Sequence, residues 1–139
     1  MPQLLPYVLL IDDDDDDLDI LSSSLEPLGI KVKTFNASNE ALNYLNQIPG
    51  IAKLPSLIIL DYNMPKINGE QVLHLIKSNK SIKNIPVVMY STSVSPLFKK
   101  TLIDLGAIAC FTKAFTYAAF CAQVILFKDL AFSSAINNN

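Results

Sequence analysis

The chain reads as an α/β domain built on a doubly wound, five-stranded parallel sheet. Three observations predict this. Five apolar runs of strand length recur at intervals of roughly 20 to 30 residues. Helix-period segments lie between them. The polar residues with chemical potential all fall at the C-terminal ends of the runs, where open parallel sheets place their sites. At 139 residues, half of them apolar, one domain can bury most of its surface. Residues 1–132 are expected to form it, with 133–139 as a polar, frayed tail.

The predicted strands are Tyr7 to Ile11, Ile30 to Phe35, Leu57 to Leu60, Val87 to Tyr90 and Ile108 to Thr112. Near-continuous Val, Ile and Leu mark strands covered on both faces. Leu18, Leu21, Leu25 and Leu28 step by three and four, and Gly29 stops that helix. Ser38 is a candidate cap for a helix carrying Leu42, Leu45 and Ile48. Asn68 caps one carrying Val72, Leu73 and Ile76. Ser95-Pro96 opens a fourth, with a stripe of Leu97, Thr101, Leu102 and Leu105. Thr116 opens the last, from Tyr117 to about Ala131. That helix is apolar almost all round, through Phe120, Cys121, Val124, Ile125, Leu126, Phe127 and Leu130. Deep burial is the expected reason; a sticky face for a partner or a second copy is the other. Its most apolar window, Ala114 to Phe127, is too short to span a bilayer, so no membrane is expected.

Charge is unevenly placed. Asp12 to Asp17 and Asp19 supply seven of the 13 acids. The other six face 11 bases, every one a lysine. Without arginine or a clustered basic stripe, direct nucleic-acid binding is not expected. Cys110 and Cys121 lie in apolar stretches and read as buried, reduced thiols in a cytoplasmic protein. The N-terminus lacks the pattern of a secretion signal.

The aspartate run directly follows Val8-Leu9-Leu10-Ile11. Carboxylates pinned at the end of a buried strand need cations, and hard oxygen ligands suit Mg²⁺, Mn²⁺ or Ca²⁺. Asp61 ends the third strand and needs a partner too. Lys113, at the end of the fifth, and a cation held by Asp12 and Asp13 are both candidates. Ser91, ending the fourth, adds a hydroxyl. Metal, ammonium and hydroxyl around one carboxylate suit phosphoryl transfer onto it. The acids from Asp15 to Asp17 and Asp19 read as a solvated extension; Asp14 is open. His74, the single histidine, is assigned no role.

Four segments, IDDD, LDYNMPKING, PVVMYSTS and GAIACFTKAF, occur in an order and at separations that resemble the receiver domain of two-component response regulators. The likeness covers about residues 6 to 131 and implies a flavodoxin-like sheet ordered 2-1-3-4-5. It implies that Asp61 accepts a phosphoryl group. Asp12 and Asp13, with Asp61 and the backbone carbonyl of Asn63, would bind Mg²⁺, with Mn²⁺ an alternative. Ser91 and Lys113 would engage the phosphoryl group, and Asn63 and Ser93 would tune its hydrolysis. The implied partners are a sensor histidine kinase or a histidine phosphotransfer protein, and a downstream protein met by the face of helix 4, strand 5 and helix 5. A homodimer is a further possibility. The chain would act as a stand-alone receiver that catalyses only its own phosphorylation and dephosphorylation.

Two positions depart from the family. Cys110 stands at the switch position, where a Tyr or Phe is usual, and Phe111 should face the other way. Ala114 follows Lys113 where a proline is common. Two rivals stay open: a degenerate receiver that only binds proteins, and an aspartyl phosphohydrolase of the haloacid-dehalogenase type. The latter needs a second acid where Asn63 stands.

Overall fold

The computed structural model describes residues 6 to 137. The strands are β1 (Tyr7–Ile11), β2 (Lys31–Phe35), β3 (Leu57–Leu60), β4 (Val87–Ser91) and β5 (Ala109–Thr112). The helices are α1 (Asp15–Leu25), α2 (Ser38–Asn46), α3 (Gly69–Lys77), α4 (Pro96–Asp104) and α5 (Tyr117–Asn137). The sheet runs β2-β1-β3-β4-β5 and every pairing is parallel. Fold class, strand order and element order are as the sequence predicts.

Alternation along the strands divides the core into two layers. Leu9, Ile11, Ile58, Leu60, Val87 and Met89 face α2, α3 and α4, meeting Ala41, Leu45, Val72, Leu73, Ile76 and Leu102. Val8, Leu10, Leu57, Ile59, Val88 and Tyr90 face α1 and α5, meeting Leu18, Leu21, Leu25, Val124, Phe127 and Ala131. Asp61 therefore follows a strand that is buried on both faces. The edge strand β2 keeps Lys31 and Lys33 exposed, which discourages pairing with another sheet.

The caps explain where the helices start. The Asn68 side chain accepts from the Gln71 N–H, and the Gln71 side chain accepts from the Asn68 N–H, both at 2.9 Å. Ser95 accepts from the Phe98 N–H at 3.2 Å, with Pro96 at the first helical position. Thr116 accepts from the Ala119 N–H at 3.2 Å. Asp14 is the N-cap of α1, which settles the open member of the run. Gly29 adopts φ 86° after the 3₁₀ turn Glu26–Leu28, a conformation that suits glycine.

Several expectations fail. Ser38 does not cap α2: Ala37 is the N-cap, and Ser38 is the first helical residue. Its hydroxyl donates instead to the Ile67 carbonyl at 2.7 Å. Leu97 does not join the α4 stripe but lies 77% exposed, leaving Leu102 as that helix's buried residue. Cys110 and Cys121 are half-buried rather than buried.

The last helix departs most. It continues to Asn137, past Ala131, because neither Gly nor Pro interrupts it. It is not deeply buried: Val124, Phe127 and Ala131 face the core, while Ile125 and Leu126 are half-exposed. By length and composition its stretch Tyr117–Ala135, 19 residues of mean hydropathy 1.3, is sufficient to cross a membrane. The window Ala114 to Phe127 read from the sequence is shorter than this stretch, because the helix runs on past Phe127. One side nevertheless packs on the sheet as the fifth helix of the fold.

Candidate functional site

The C-terminal ends of β1, β3, β4 and β5 converge on one edge. Parallel register brings Ile11 beside Leu60, so Asp12 and Asp61 leave neighbouring strands together. The Asp61 N–H donates to the Ile11 carbonyl at 2.9 Å, which extends the ladder into the site. Asp12, Asp13 and Asp61 present carboxylate oxygens within 4.8 Å of one another. Asp12 and Asp61 are buried and Asp13 is exposed. Three hard oxygen donors at this spacing, one open to solvent, fit a divalent cation that keeps part of its water shell.

On the other side, the Ser91 hydroxyl donates to Asp61 Oδ1 at 3.1 Å. The Asn63 side-chain amide donates to Ser91 Oγ at 3.4 Å. Lys113 Nζ donates to Asp12 Oδ2 and to Asp17 Oδ2, each at 2.8 Å, and lies 4.0 Å from Asp61 Oδ1. The Lys113 N–H is held by the Ser91 carbonyl at 2.8 Å, so the β4 hydroxyl and the β5 ammonium are set relative to each other. Ser93 lies exposed beyond β4.

Electrostatics follow from this crowding. Burial, then the Asp12 charge, pushes the Asp61 carboxyl up to about 6, against the pull of Lys113, the Ser91 hydroxyl and the backbone N–H of Asn63. Burial also raises Asp12, against the pull of Lys113 and the Asp14 amide. Burial alone would lower the Lys113 ammonium, but pairing with Asp12 and Asp17 outweighs it and holds the group well above its ordinary value. The site is an anion cluster with one fixed cation, and a divalent ion would relieve it.

Sequence reasoning brought together Asp12, Asp13, Asp61, Ser91, Asn63 and Lys113, and the fold does place them together. It misplaced Asp17, taken as solvated and found half-buried against Lys113. First-turn side chains of α1 point back toward the strand ends, but Asp15 and Asp16 share that turn, so the sequence does not single out Asp17. It also missed Tyr90. This hydroxyl donates to Gln123 Oε1 at 2.8 Å, and Gln123 Nε2 donates to the Thr112 carbonyl at 2.7 Å, tying the end of β4 to α5 and β5. Cys110 packs toward α4, with Sγ 4.0 Å from the Lys99 carbonyl. Phe111 faces the opposite layer, its ring 5.6 Å from that of Phe127, as alternation requires. The peptide bond to Ala114 is trans, as are all those among the described residues.

The geometry has parallels in known proteins. Residues 8–125 match the family model of the response regulator receiver domain. The transcriptional regulatory protein CpxR homolog of Haemophilus influenzae is 33% identical over 133 residues, covering 94% of this chain and 55% of its own length. The chain thus spans about half of that relative. The two-component response regulator ORR3 of Oryza sativa is 31% identical over 107 residues, 77% of this chain and 79% of its own. Among solved structures, the phosphorylated cyanobacterial phytochrome response regulator RcpA superposes with a TM-score of 0.82 at 30% identity, covering 94% of this chain and 96% of its own. The Mn²⁺-bound form of response regulator Rcp1 gives 0.78 at 26% identity, covering 89% and 92%. With an acidic triad, a hydroxyl and a lysine gathered at the strand ends of this fold, the chain belongs to the response regulator receiver domain family of two-component signalling.

Proposed function

We propose that this receiver takes a phosphoryl group onto Asp61 from a phosphohistidine of a sensor kinase or phosphotransfer protein. The observation that carries this reading is the convergence of Asp12, Asp13 and Asp61 within 4.8 Å, opposite Ser91 and Lys113. A carboxylate oxygen of Asp61 attacks phosphorus. The new O–P bond forms as the P–N bond breaks, and the electron pair leaves with the histidine ring. Lys113, 4.0 Å from Asp61 Oδ1, and the Ser91 hydroxyl stand where they can meet the oxygens of the transferred group.

Asp12, Asp13, Asp61 and the carbonyl of Asn63 would hold the cation, read as Mg²⁺ with Mn²⁺ able to replace it. Bound there, it supplies positive charge against the transferring oxygens. Loss of the phosphoryl group is hydrolysis: water attacks phosphorus and the O–P bond to Asp61 breaks. Exposed Asn63 and Ser93 flank the open side and tune that step. The chain catalyses these two reactions on itself and no turnover of an external substrate. It works in the cytoplasm, and its output is contact with another protein through α4, β5 and α5, with self-association through the same face as an alternative. The phosphohydrolase reading finds no support, because the family is a receiver family and Asn63 occupies the position of the required acid.

Incubation with acetyl phosphate and Mg²⁺ tests the assignment. Wild type gains one phosphoryl group by intact mass, and Asp61→Asn gains none. Labelling of the variant at the wild-type level would remove Asp61 from the acceptor role. Exchanging Asn63 or Ser93 leaves labelling intact but changes the decay rate of the phospho-form.

A further inference from the structure

We propose that Asp17 is a positioning residue of the cation site. It gives the Lys113 ammonium a second seat, so that Asp12 can release it and turn its carboxylate to a divalent cation. This rests on the reading of Asp12, Asp13 and Asp61 as cation ligands.

Both oxygens of Asp12 are engaged. Oδ1 accepts the Asp14 N–H at 2.9 Å, and Oδ2 accepts Lys113 Nζ at 2.8 Å. A cation approaching Asp12 must therefore compete with an ammonium whose side chain is only 15% exposed. An ammonium so buried is costly to leave unpaired. Asp17 removes that cost. Its carboxylate already accepts the same ammonium at 2.8 Å. Its backbone is anchored by an N–H donated to the Asp14 cap at 3.3 Å. Asp17 is not a member of the acidic triad, so it can keep Lys113 while Asp12 changes partners. The seat also holds Lys113 near Asp61 rather than letting it swing into solvent.

Asp17→Asn makes Lys113 fall back on Asp12, and it removes one negative charge. Both effects weaken cation binding, so a control must separate them. Asp16→Asn removes the same charge from an exposed neighbour that makes no contact with Lys113. The measurement is a Mn²⁺ titration followed by electron paramagnetic resonance of the free ion. It is run in 0.5 M salt, where screening confines charge effects to roughly 5 Å. Asp17→Asn weakens Mn²⁺ binding about three- to fivefold, the scale of a partly exposed ion pair. Asp16→Asn changes it less than about 1.5-fold under the same screening, and Asp17→Glu recovers part of the loss. In a Lys113→Met background the Asp17→Asn effect vanishes, because there is no ammonium left to seat. Equal losses in the Asp16 and Asp17 variants, or an Asp17 effect that persists without Lys113, would overturn the proposal. Full Mn²⁺ binding by Asp13→Asn would overturn the underlying cation reading, and the proposal with it.

Discussion

Asp61 is buried, faces the Asp12 carboxylate, and titrates near 6 rather than at the ordinary 3.8. The raised value fixes the sign of its effect on stability. The folded protein binds this proton more tightly than the unfolded chain does. The contribution is therefore fully present below 3.8 and is lost as pH rises through about 6. A shift of this size corresponds to at most about 3 kcal/mol. We predict that the melting temperature of the metal-free protein falls between pH 4 and pH 7, and that Asp61→Asn removes much of the slope. Asp12 is raised in the same direction, so some slope persists in the variant. Identical slopes for the two proteins would show that Asp61 carries no such penalty. Protons and cations compete for the same oxygens, so cation affinity should climb over this pH range. Lys66, in the loop after Asp61, is the one non-glycine residue with positive φ among the described residues, at 68°. Lys66→Gly relieves about 1 kcal/mol of backbone strain and should raise the melting temperature.

The turn from β3 to α3 begins at Asp61, the proposed acceptor, and three neighbours hold it in place. The Ser38 hydroxyl of α2 donates to the Ile67 carbonyl at 2.7 Å. The Tyr62 ring meets Phe98 of α4 edge-on at 4.7 Å. Gly69 lets the start of α3 press against the backbone of the turn. A Cβ there would lie 2.5 Å from the Asp61 carbonyl oxygen and 2.6 Å from Tyr62 Cα, and neither backbone atom can yield cheaply. Gly69→Ala should therefore cost more than about 2 kcal/mol and displace Asp61, with denaturant unfolding and acetyl phosphate labelling as the two readouts. A stable, fully labelled variant would mean that the turn is softer than its packing implies. A second link runs on the opposite layer. Cys110 cannot supply the Tyr or Phe usual at its position, and it faces α4. Tyr90, next to Ser91, reaches α5 through Gln123. If that link transmits the state of the site, beryllofluoride with Mg²⁺ shifts backbone resonances of α5 in wild type. The shifts shrink in Tyr90→Phe, which keeps the ring packed 5.2 Å from Phe127 but loses the hydroxyl. Equal shifts in both proteins would remove Tyr90 from the path.

Across the whole molecule, what the sequence revealed depended on how far each feature reached. Strand identity is local: Leu57 to Leu60 is apolar throughout because both its faces are covered, and the chain says so directly. The site was legible because the fold rule gathers strand ends, so Asp12, Asp61, Ser91 and Lys113 could be joined without coordinates. Pairings that depend on distant geometry were not legible. Asp17 and Lys113 are 96 positions apart, and nothing near Asp17 separates it from its solvated neighbours. A helix apolar all round, such as α5, carries no periodic signal for which side meets the sheet. The two core layers meet the site at the same edge, since Asp12 and Asp61 extend strands shared by both. Charge repulsion there consequently acts on global stability, not on a detachable loop. Relief of that repulsion should be visible as linkage. Mg²⁺ at 100 times its dissociation constant stabilises the folded state by about 2.7 kcal/mol. For a domain of this size that is a rise in melting temperature of roughly 8 to 12 °C. Asp13→Asn, which removes the exposed carboxylate of the triad, should abolish the rise while leaving the metal-free protein at least as stable as wild type. An undiminished Mg²⁺-dependent rise in that variant would place the cation somewhere other than the ends of β1 and β3.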